Sequence, residues 1–452
     1  MKHDVLIVGA GIAGMALGLA LAQAGRRVQI VDARAAQPAE RPPGGYEQRI
    51  YALSPANVAW LAQLRVWAAV DAARVVPVHD MRVFGDATLA DLLPGRKAFP
   101  GGLLGLPGLP GLDRDKDRDT DTAAPRAGLL PGPRALRDDG LHLSAYNSGL
   151  AELCWIVEEG EIARVLQSAL GFTSGLEVLR PVKPAALSQN PDGVELRLED
   201  GRVLSADLLV ACDGARSWVR EAAGIATEVI EYNKTAVVAN FHAERPHHNC
   251  AYQWFRREQV GGKVGGSEVG DGVLAWLPLP EGQVSMVWSV TDAHAAHLLQ
   301  MDEGALAEAA SAAGAHTLGA FTPAGRPAGF KLRNLRARSL IAPRVALAGD
   351  AAHVVHPLVG QGLNLGLGDV RALAQVLTAG RASQRDCGDF LTLRAYERSR
   401  KAAILEMHAI THGLERLFGS AHPAARAVRN IGLNLTARLP VLPRLIAQHA
   451  TR

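Results

Sequence analysis

Residues 5–32 constrain the fold more than any other stretch. Val5-Leu6-Ile7-Val8 is a short apolar, largely β-branched run, typical of a buried parallel strand. Gly9-Ala10-Gly11-Ile12-Ala13-Gly14 follows at once, Met15 to Ala24 reads as a helix of small residues and leucines, and Arg27-Val28-Gln29-Ile30-Val31 is a second strand ending in Asp32. Strand, glycine turn, helix, strand and acid within about 30 residues form a dinucleotide-binding fingerprint. The first glycine permits the tight turn, the second lets the backbone approach a pyrophosphate, and the third lets helix pack on strand. The helix N-terminus then offers unpaired N–H groups to phosphates. Asp32, 18 residues beyond Gly14, is placed to accept hydrogen bonds from a ribose diol. By itself the pattern does not choose between NAD and FAD.

The same stretch imitates two other things. Val5 to Gly25 is 21 residues without a charge, long enough for a membrane span. Lys2 before it and Ala22-Gln23-Ala24 near its end imitate a signal peptide. The internal grammar, with its terminal acid, favours the nucleotide unit. The 452 residues are 48% hydrophobic and 21% charged, which excludes a disordered chain. The length suggests roughly three units of about 150 residues. Lys+Arg (48) against Asp+Glu (45) leaves a net charge of +3, and no clustering of basic residues points to nucleic acid. Four cysteines, Cys154, Cys212, Cys250 and Cys387, are too sparse for a disulfide framework. No CxxC or His/Cys cluster suggests a metal. A reducing, cytoplasmic compartment fits.

The far end of the chain decides the nucleotide. Arg344-Val-Ala-Leu-Ala-Gly349-Asp350 reads as a strand stopping at Gly-Asp, followed by Ala351-Ala352-His353-Val-Val-His356-Pro357-Leu-Val-Gly360-Gln361-Gly362-Leu363-Asn364-Leu-Gly366 and a helix from about Leu363 to Leu377. Between the two ends, Ala206-Asp-Leu-Leu-Val210 is a strand leading into Cys212-Asp213-Gly214-Ala215-Arg216-Ser217-Trp218-Val219-Arg220. These segments resemble the second flavin motif and the Asp-Gly motif of the aromatic hydroxylase flavoproteins. The closest resemblance is to the ubiquinone-biosynthesis FAD-dependent hydroxylases, single-component aromatic-ring monooxygenases. It is carried also by Arg49-Ile-Tyr-Ala-Leu-Ser54, Trp155-Ile-Val-Glu158, Leu277-Pro-Leu279 with Val287-Trp-Ser289, Tyr396-Glu-Arg398 with Arg400-Lys401, and Arg429-Asn430. The chain departs from the family at Glu231–Thr235, which lacks a glutamine often found after the tyrosine, and at Cys212, where alanine or glycine is usual.

The resemblance implies an α/β fold. A discontinuous Rossmann-like FAD-binding domain (1–78, 142–228 and 331–383) would accompany a β-sheet-rich substrate domain (79–141 and 229–330) and a helical C-terminal region (384–452). Thr235–Phe241, Gly272–Leu277 and Gln283–Trp288 read as strands of the second domain. An insertion at about 87–139 holds Leu-Pro-Gly blocks and the alternating charges Asp113–Asp121. That composition cannot bury a core, so a solvated loop is expected. As alternatives it is a surface-loop expansion, or a lid or docking segment.

The resemblance also implies the chemistry. FAD would carry it, through a flavin C4a-hydroperoxide formed with O2. NAD(P)H or another donor such as a ferredoxin would supply electrons, and a polyprenylated phenol would be hydroxylated. Gly360, Gln361, Gly362, Leu363 and Asn364 would lie at the pyrimidine end, with Pro357 on the flavin face where oxygen is activated. Asp350 would hold ribityl hydroxyls, Arg49 would approach the phosphates, and Asp213-Gly214 would serve FAD and pyridine-nucleotide handling. Gly349-Asp350 alone would be an ordinary turn. His353 and His356 imitate a metal pair, but no third ligand accompanies them. Arg216 and Arg220 read as surface charges. Trp254, Phe255, Trp276 and Trp288 read as β-core or as substrate lining. Gly261–Gly266 fails the Walker pattern at Arg257 and Val264.

Two other functions remain open on the sequence: hydroxylation of a small soluble aromatic acid, and a flavin-bearing non-catalytic subunit. Other quinone-biosynthesis subunits, a homo-oligomer and peripheral contact with the inner face of a membrane are candidate associations. The last is suggested by arginines interspersed with apolar residues after Arg426.

Overall fold

The computed structural model describes residues 2–36, 45–85, 141–256, 263–264, 267–268, 272–355, 362–379 and 386–419, the side chains of 256, 263–264, 267–268 and 410–419 excepted. The expected insertion, residues 420–452, and the candidate site residues Pro357, Gly360 and Gln361 lie outside this set.

The first sheet grows from the nucleotide unit. β1 (His3–Val8), β2 (Val28–Val31), β8 (Leu176–Leu179), β11 (Val203–Ala211) and β21 (Val345–Leu347) run parallel in the order β21-β11-β1-β2-β8. β20 (Ile341–Ala342) pairs antiparallel with β21, while β9 (Pro184–Asn190) and β10 (Gly193–Leu198) extend β11 as an antiparallel flap. Strands covered on both faces read as unbroken apolar runs. Val5, Leu6, Ile7, Leu208, Leu209, Val210, Ala346 and Leu347 are indeed fully buried.

Nine helices follow in chain order among the described residues: α1 (Ile12–Gln23), α2 (Pro55–Gln63), α3 (Ala145–Ser148), α4 (Glu159–Gly171), α5 (Trp218–Ala222), α6 (Asp292–Gln300), α7 (Glu303–Ala313), α8 (Gly362–Thr378) and α9 (Phe390–Gly419). α1 begins three residues earlier than the sequence predicts, because Gly11 itself is the extended N-cap. α1 packs between α4 and α8, and α9 packs on α8.

A second sheet is mostly antiparallel. Its order is β22 (His353–Val354), β19 (Ala328–Ala337), β12 (Thr227–Ala243), β17 (Gln283–Thr291), β16 (Gly272–Pro278), β13 (Cys250–Arg256), β5 (Asp80–Phe84), β6 (Leu141–Ser144), with β18 (Phe321–Pro323) beside β12. β14 (Lys263–Val264) and β15 (Ser267–Glu268) form a separate short hairpin. A third, small sheet is β3 (Ile50–Leu53), β7 (Cys154–Glu158) and β4 (Val75–Val78). β12 and β19 run through the boundaries expected at 228/229 and 330/331. The chain thus leaves and re-enters the parallel sheet on continuous long strands rather than through linkers.

One face of the second sheet is sealed by α6 and α7. Val237, Phe241, Leu274, Trp276, Met286 and Trp288 pack there with Leu298, Leu306 and Ala310. Trp254 joins this core, its ring centroid 4.5 Å from that of Trp276 in an edge-on contact. Phe255 is buried elsewhere, with Val83, Leu141 and Val273. Trp254, Trp276 and Trp288 are therefore core on the helix-covered face, while Phe255 is buried on the opposite face. The opposite face carries Ala236, Val238, Ala275, Leu277, Val287 and Phe330. Of these, Ala275, Leu277, Val287 and Phe330 are only half-buried.

Candidate flavin site

Four loops lie side by side at the carboxyl ends of adjacent parallel strands, where ligands of open α/β sheets bind. They follow β21, β11, β1 and β2, and carry Gly349-Asp350, Asp213-Gly214, Gly9–Gly14 and Asp32. Backbone pairing continues past the strand ends: Gly9 N–H donates to Val31 O (2.7 Å), Cys212 N–H to Val8 O (2.7 Å) and Ala348 N–H to Ala211 O (3.0 Å).

The glycines divide their tasks. A Cβ on Gly9, whose φ is +110°, would lie 2.2 Å from the Cys212 carbonyl oxygen, and one on Gly14 would lie 2.0 Å from the Gly9 carbonyl oxygen. These two close the loop on itself. A Cβ on Gly11 would meet nothing within 4 Å, and no side chain caps the helix it begins. The first N–H groups of α1 therefore point out of an open backbone concavity. Asp32, 6% exposed, accepts from Ala10 N–H (2.6 Å) and Arg34 N–H (2.7 Å), tying the acid to the loop. An open helix N-terminus beside an acid at the end of the second strand fits the pyrophosphate and ribose of a dinucleotide.

The Gly349–Ala351 turn is a single turn of 3₁₀ helix, with Gly349 at φ +62°. Asp350 reaches solvent, yet protein surrounds it on most sides; this desolvation raises its carboxyl pKa, with Glu159 adding to the effect and His353 and Arg49 opposing it. Arg49, at the entry to β3, pairs with Glu159 (3.1 Å) and stands over the Phe330 ring at 5.6 Å. Desolvation would lower its pKa, but Glu159 outweighs that and raises it, with smaller help from Tyr51 and Asp350. Arg49 thus stands at the half-buried sheet face and feels the charge of Asp350. The following strand, β22, pairs with β19 of that same sheet.

Asp213 accepts from Val219 N–H (3.1 Å) through one oxygen, while its buried Oδ1 has no partner among the described residues. Desolvation raises its pKa. Gly214 takes φ +84° beside it. Arg216 is exposed, as the sequence suggests, but Arg220 is not a surface charge: it is 5% exposed and donates to the Ala351 carbonyl at 2.9 Å.

Gly362, Leu363 and Asn364 open α8. The Asn364 side chain is engaged by protein, accepting from Ser54 N–H (2.9 Å) and donating to Ala52 O (2.7 Å). The side chain is thus spent on the protein, and a ligand at this end would meet the backbone of the helix start. Sequence reading gave no role to Asp369, which is fully buried and accepts from Gly349 N–H at 3.0 Å. A lone carboxylate among the leucines and glycines of Leu365–Val370 was the available signal. Among the described residues no His/Cys/Asp/Glu group could hold a metal.

A model of the FAD-binding-domain family matches residues 2–409. The ubiquinone hydroxylase UbiL of Rhodospirillum rubrum is 31% identical over 448 residues, covering 99% of this chain and 89% of its own. This chain belongs to the FAD-dependent hydroxylases of ubiquinone biosynthesis. The 3-demethoxyubiquinol 3-hydroxylase of Escherichia coli is a further relative of this hydroxylase, 28% identical over 449 residues with 99% and 98% covered. The mitochondrial ubiquinone biosynthesis monooxygenase COQ6 of Xenopus tropicalis is 29% identical over 493 residues with 98% and 92% covered. Among solved structures, p-nitrophenol 4-monooxygenase PnpA from Pseudomonas putida superposes with a TM-score of 0.69 at 18% identity, covering 99% of the hydroxylase chain and 97% of its own. PqsL of Pseudomonas aeruginosa does so with a TM-score of 0.67 at 22% identity, covering 96% and 100%. These two carry the fold alone. The hydroxylase is an FAD-dependent monooxygenase with the α/β fold expected from its sequence.

Proposed function

We propose that this hydroxylase oxidises the aromatic ring of a polyprenylated phenol in ubiquinone biosynthesis, with O2 as oxidant and NAD(P)H or another donor supplying electrons. The observation that carries this reading is that the Gly349–Ala351 turn, one of four nucleotide-binding loops on adjacent strands, runs directly into the sheet whose half-buried apolar face includes Phe330, with Arg49 standing over that ring. Relatives named for ubiquinone hydroxylation along nearly their whole length support it.

When bound, FAD supplies oxygen activation and electron relay. The protein binds and aims. Gly9, Gly11 and Gly14 admit the pyrophosphate to the start of α1, and Asp32 takes the ribose. Arg49 approaches the phosphates, Asp350 accepts from ribityl hydroxyls, and Asp213-Gly214 closes the neighbouring edge. The N–H groups of Gly362, Leu363 and Asn364 face the pyrimidine end, where negative charge develops on reduction. Pro357, Gly360 and Gln361 are assigned to the same end by family resemblance. The substrate ring lies against Ala275, Leu277, Val287 and Phe330, which exclude water from the reacting face.

A soluble aromatic acid would call for an uncommitted cation at this face. Among the described residues, Arg49 is a cation at this face, and it is paired with Glu159 and assigned to the phosphates. Peripheral membrane association, from the cytoplasmic side, follows from a bilayer-dwelling substrate. The test is a deletion strain with quinone intermediates identified by mass spectrometry, together with NAD(P)H oxidation by the purified protein. The expected result is an accumulated prenylated phenol lacking one hydroxyl and oxidation stimulated by that compound. Normal ubiquinone in the deletion strain would overturn the reading. Stimulation by a soluble aromatic acid alone would replace it, and no stimulation by any phenol would favour a non-catalytic subunit.

A further inference from the structure

Behind the Gly349–Ala351 turn lies a buried ionic cluster centred on Asp369. The Asp369 carboxylate, fully buried in α8, divides its two oxygens. Oδ2 accepts from Gly349 N–H at 3.0 Å and from His353 Nε2 at 2.5 Å. Oδ1 accepts from Arg400 Nε at 2.7 Å, and a second guanidinium nitrogen of Arg400 donates to Leu365 O at 3.2 Å. Arg400 belongs to α9, 31 residues beyond Asp369 and in a different part of the chain from every nucleotide motif.

The backbone makes room for this arrangement. A Cβ on Gly366 would stand 3.1 Å from Gly349 Cα, and one on Gly368 would stand 2.9 Å from an Arg400 guanidinium nitrogen. One glycine lets α8 lie directly on the turn, and the other admits the guanidinium. Tyr396, one helical turn before Arg400 on the same face of α9, is fully buried and donates to Leu347 O at 2.8 Å, on the strand that delivers the turn. A buried carboxylate stripped of its cation is left uncompensated and must shift or admit water. Either response moves the oxygen that holds Gly349.

We propose that Arg400 is a positioning residue of the flavin site: from the C-terminal helix it fixes Asp369, which fixes the turn presenting Asp350, so that FAD binding and the seating of α9 are coupled. The proposal rests on the flavin reading of that turn. Coupling is reciprocal, so FAD must tighten α9 by the same factor by which a seated α9 tightens FAD.

The test uses the full chain stripped of flavin and titrated with FAD by fluorescence quenching, alongside Arg400→Met, Arg400→Lys and, as a control, the exposed neighbour Lys401→Met. The expected result is a rise of about 5- to 150-fold in the FAD dissociation constant for Arg400→Met, the usual range of site-to-site coupling. Arg400→Lys should recover part of it and Lys401→Met should be unchanged. Hydrogen exchange on the unaltered chain should show FAD protecting amides 390–405 more than those of β16 and β17. A dissociation constant for Arg400→Met within twofold of the unaltered chain overturns the proposal, as does an equal loss in Lys401→Met. If Arg400→Met does not yield soluble protein, exchange decides: no extra protection of α9 by FAD overturns the coupling. Failure of the unaltered chain to bind FAD would instead remove the flavin reading itself.

Discussion

Arg220 donates from a buried position to the carbonyl of Ala351 at 2.9 Å, directly after the residue that faces the cleft. With Gly349 N–H held by Asp369, the turn is gripped at both ends and Asp350 is the side chain left free to meet a ligand. Desolvation lowers the Arg220 pKa, with Asp213 and Glu221 opposing. A guanidinium accepts that burial when carbonyls take its donors, and Ala215 O takes another at 3.3 Å.

The freedom of Asp350 has a cost in the flavin-free protein. Its carboxyl pKa is raised, chiefly by desolvation, so the ionised form is the unfavourable one in the folded chain. The stability it contributes is full below the unfolded carboxylate value of about 3.9 and is lost as pH rises through the raised folded value. At pH 7 Asp350 therefore opposes folding. Asp350→Asn should raise the melting temperature of flavin-free protein at pH 7 and flatten its decline from acid to neutral pH. Asp350→Ala should weaken FAD by about 1.5–3 kcal/mol, the loss expected of a charged hydrogen bond, or roughly 10- to 150-fold. Unchanged FAD affinity in Asp350→Ala would reduce Asp350 to a turn residue.

Gly11 and Gly14 separate ligand binding from folding. A Cβ at Gly11 meets nothing within 4 Å, so Gly11→Ala should cost flavin-free protein no more than the roughly 1 kcal/mol of a poorer N-cap. The same methyl group lies where a pyrophosphate must approach, so FAD affinity should fall. Gly14→Ala drives a methyl to 2.0 Å from the Gly9 carbonyl oxygen and should destabilise even flavin-free protein by about 1–3 kcal/mol. Equal FAD affinity in Gly11→Ala and the unaltered chain would refute the loop assignment.

What the sequence revealed follows from how local each signal is. The βαβ unit was readable because strand, glycines, helix and acid are contiguous, and the predicted strands at 206–210, 235–241, 272–277 and 283–288 lie inside observed ones. The three-stranded sheet of β3, β7 and β4 was not readable, because Ile50–Leu53 pairs with a strand about a hundred residues later and register between distant strands leaves no local mark. Arg220 read as a surface charge because its burial depends on Ala351, 131 residues away. Asp369 and Arg400 were visible as residues but not as a pair, since only the docking of α9 on α8 joins them.

The insertion at about 87–139 joins the adjacent antiparallel strands β5 and β6, in which Val83 is paired with Leu141. Their ends need only a hairpin loop of about 2–5 residues. Replacing 87–139 by a short Gly/Ser bridge should leave soluble, FAD-loaded protein of equal or slightly greater stability, because each halving of a loop lowers its closure cost by about 0.6 kcal/mol. Size-exclusion chromatography and flavin absorbance check this. Loss of flavin-loaded protein would refute the surface-loop reading, whereas loss of turnover alone would support a lid.

A polyprenylated substrate must reach the sheet face from a bilayer, yet no helix among the described residues is long and apolar enough to cross one. α9 leads to Gly419, and the segment that follows carries Arg426, Arg429, Arg438 and Arg444 among Val428, Ile431, Leu433, Leu435, Leu439, Leu442, Leu445 and Ile446. Such interspersion suits an interfacial segment, although Pro440 and Pro443 exclude one continuous helix through it. Each basic residue near an anionic surface contributes on the order of 1 kcal/mol, and salt screens that attraction. Truncation after residue 425 should therefore weaken co-sedimentation with anionic vesicles, and the binding of the full chain should fall as salt rises. Because α9 ends before the cut and Arg400 stays in place, the truncated protein should keep its FAD, so a loss of vesicle binding can be assigned to the tail. Equal vesicle binding by full-length and truncated, FAD-loaded protein would discard the tail as the membrane contact.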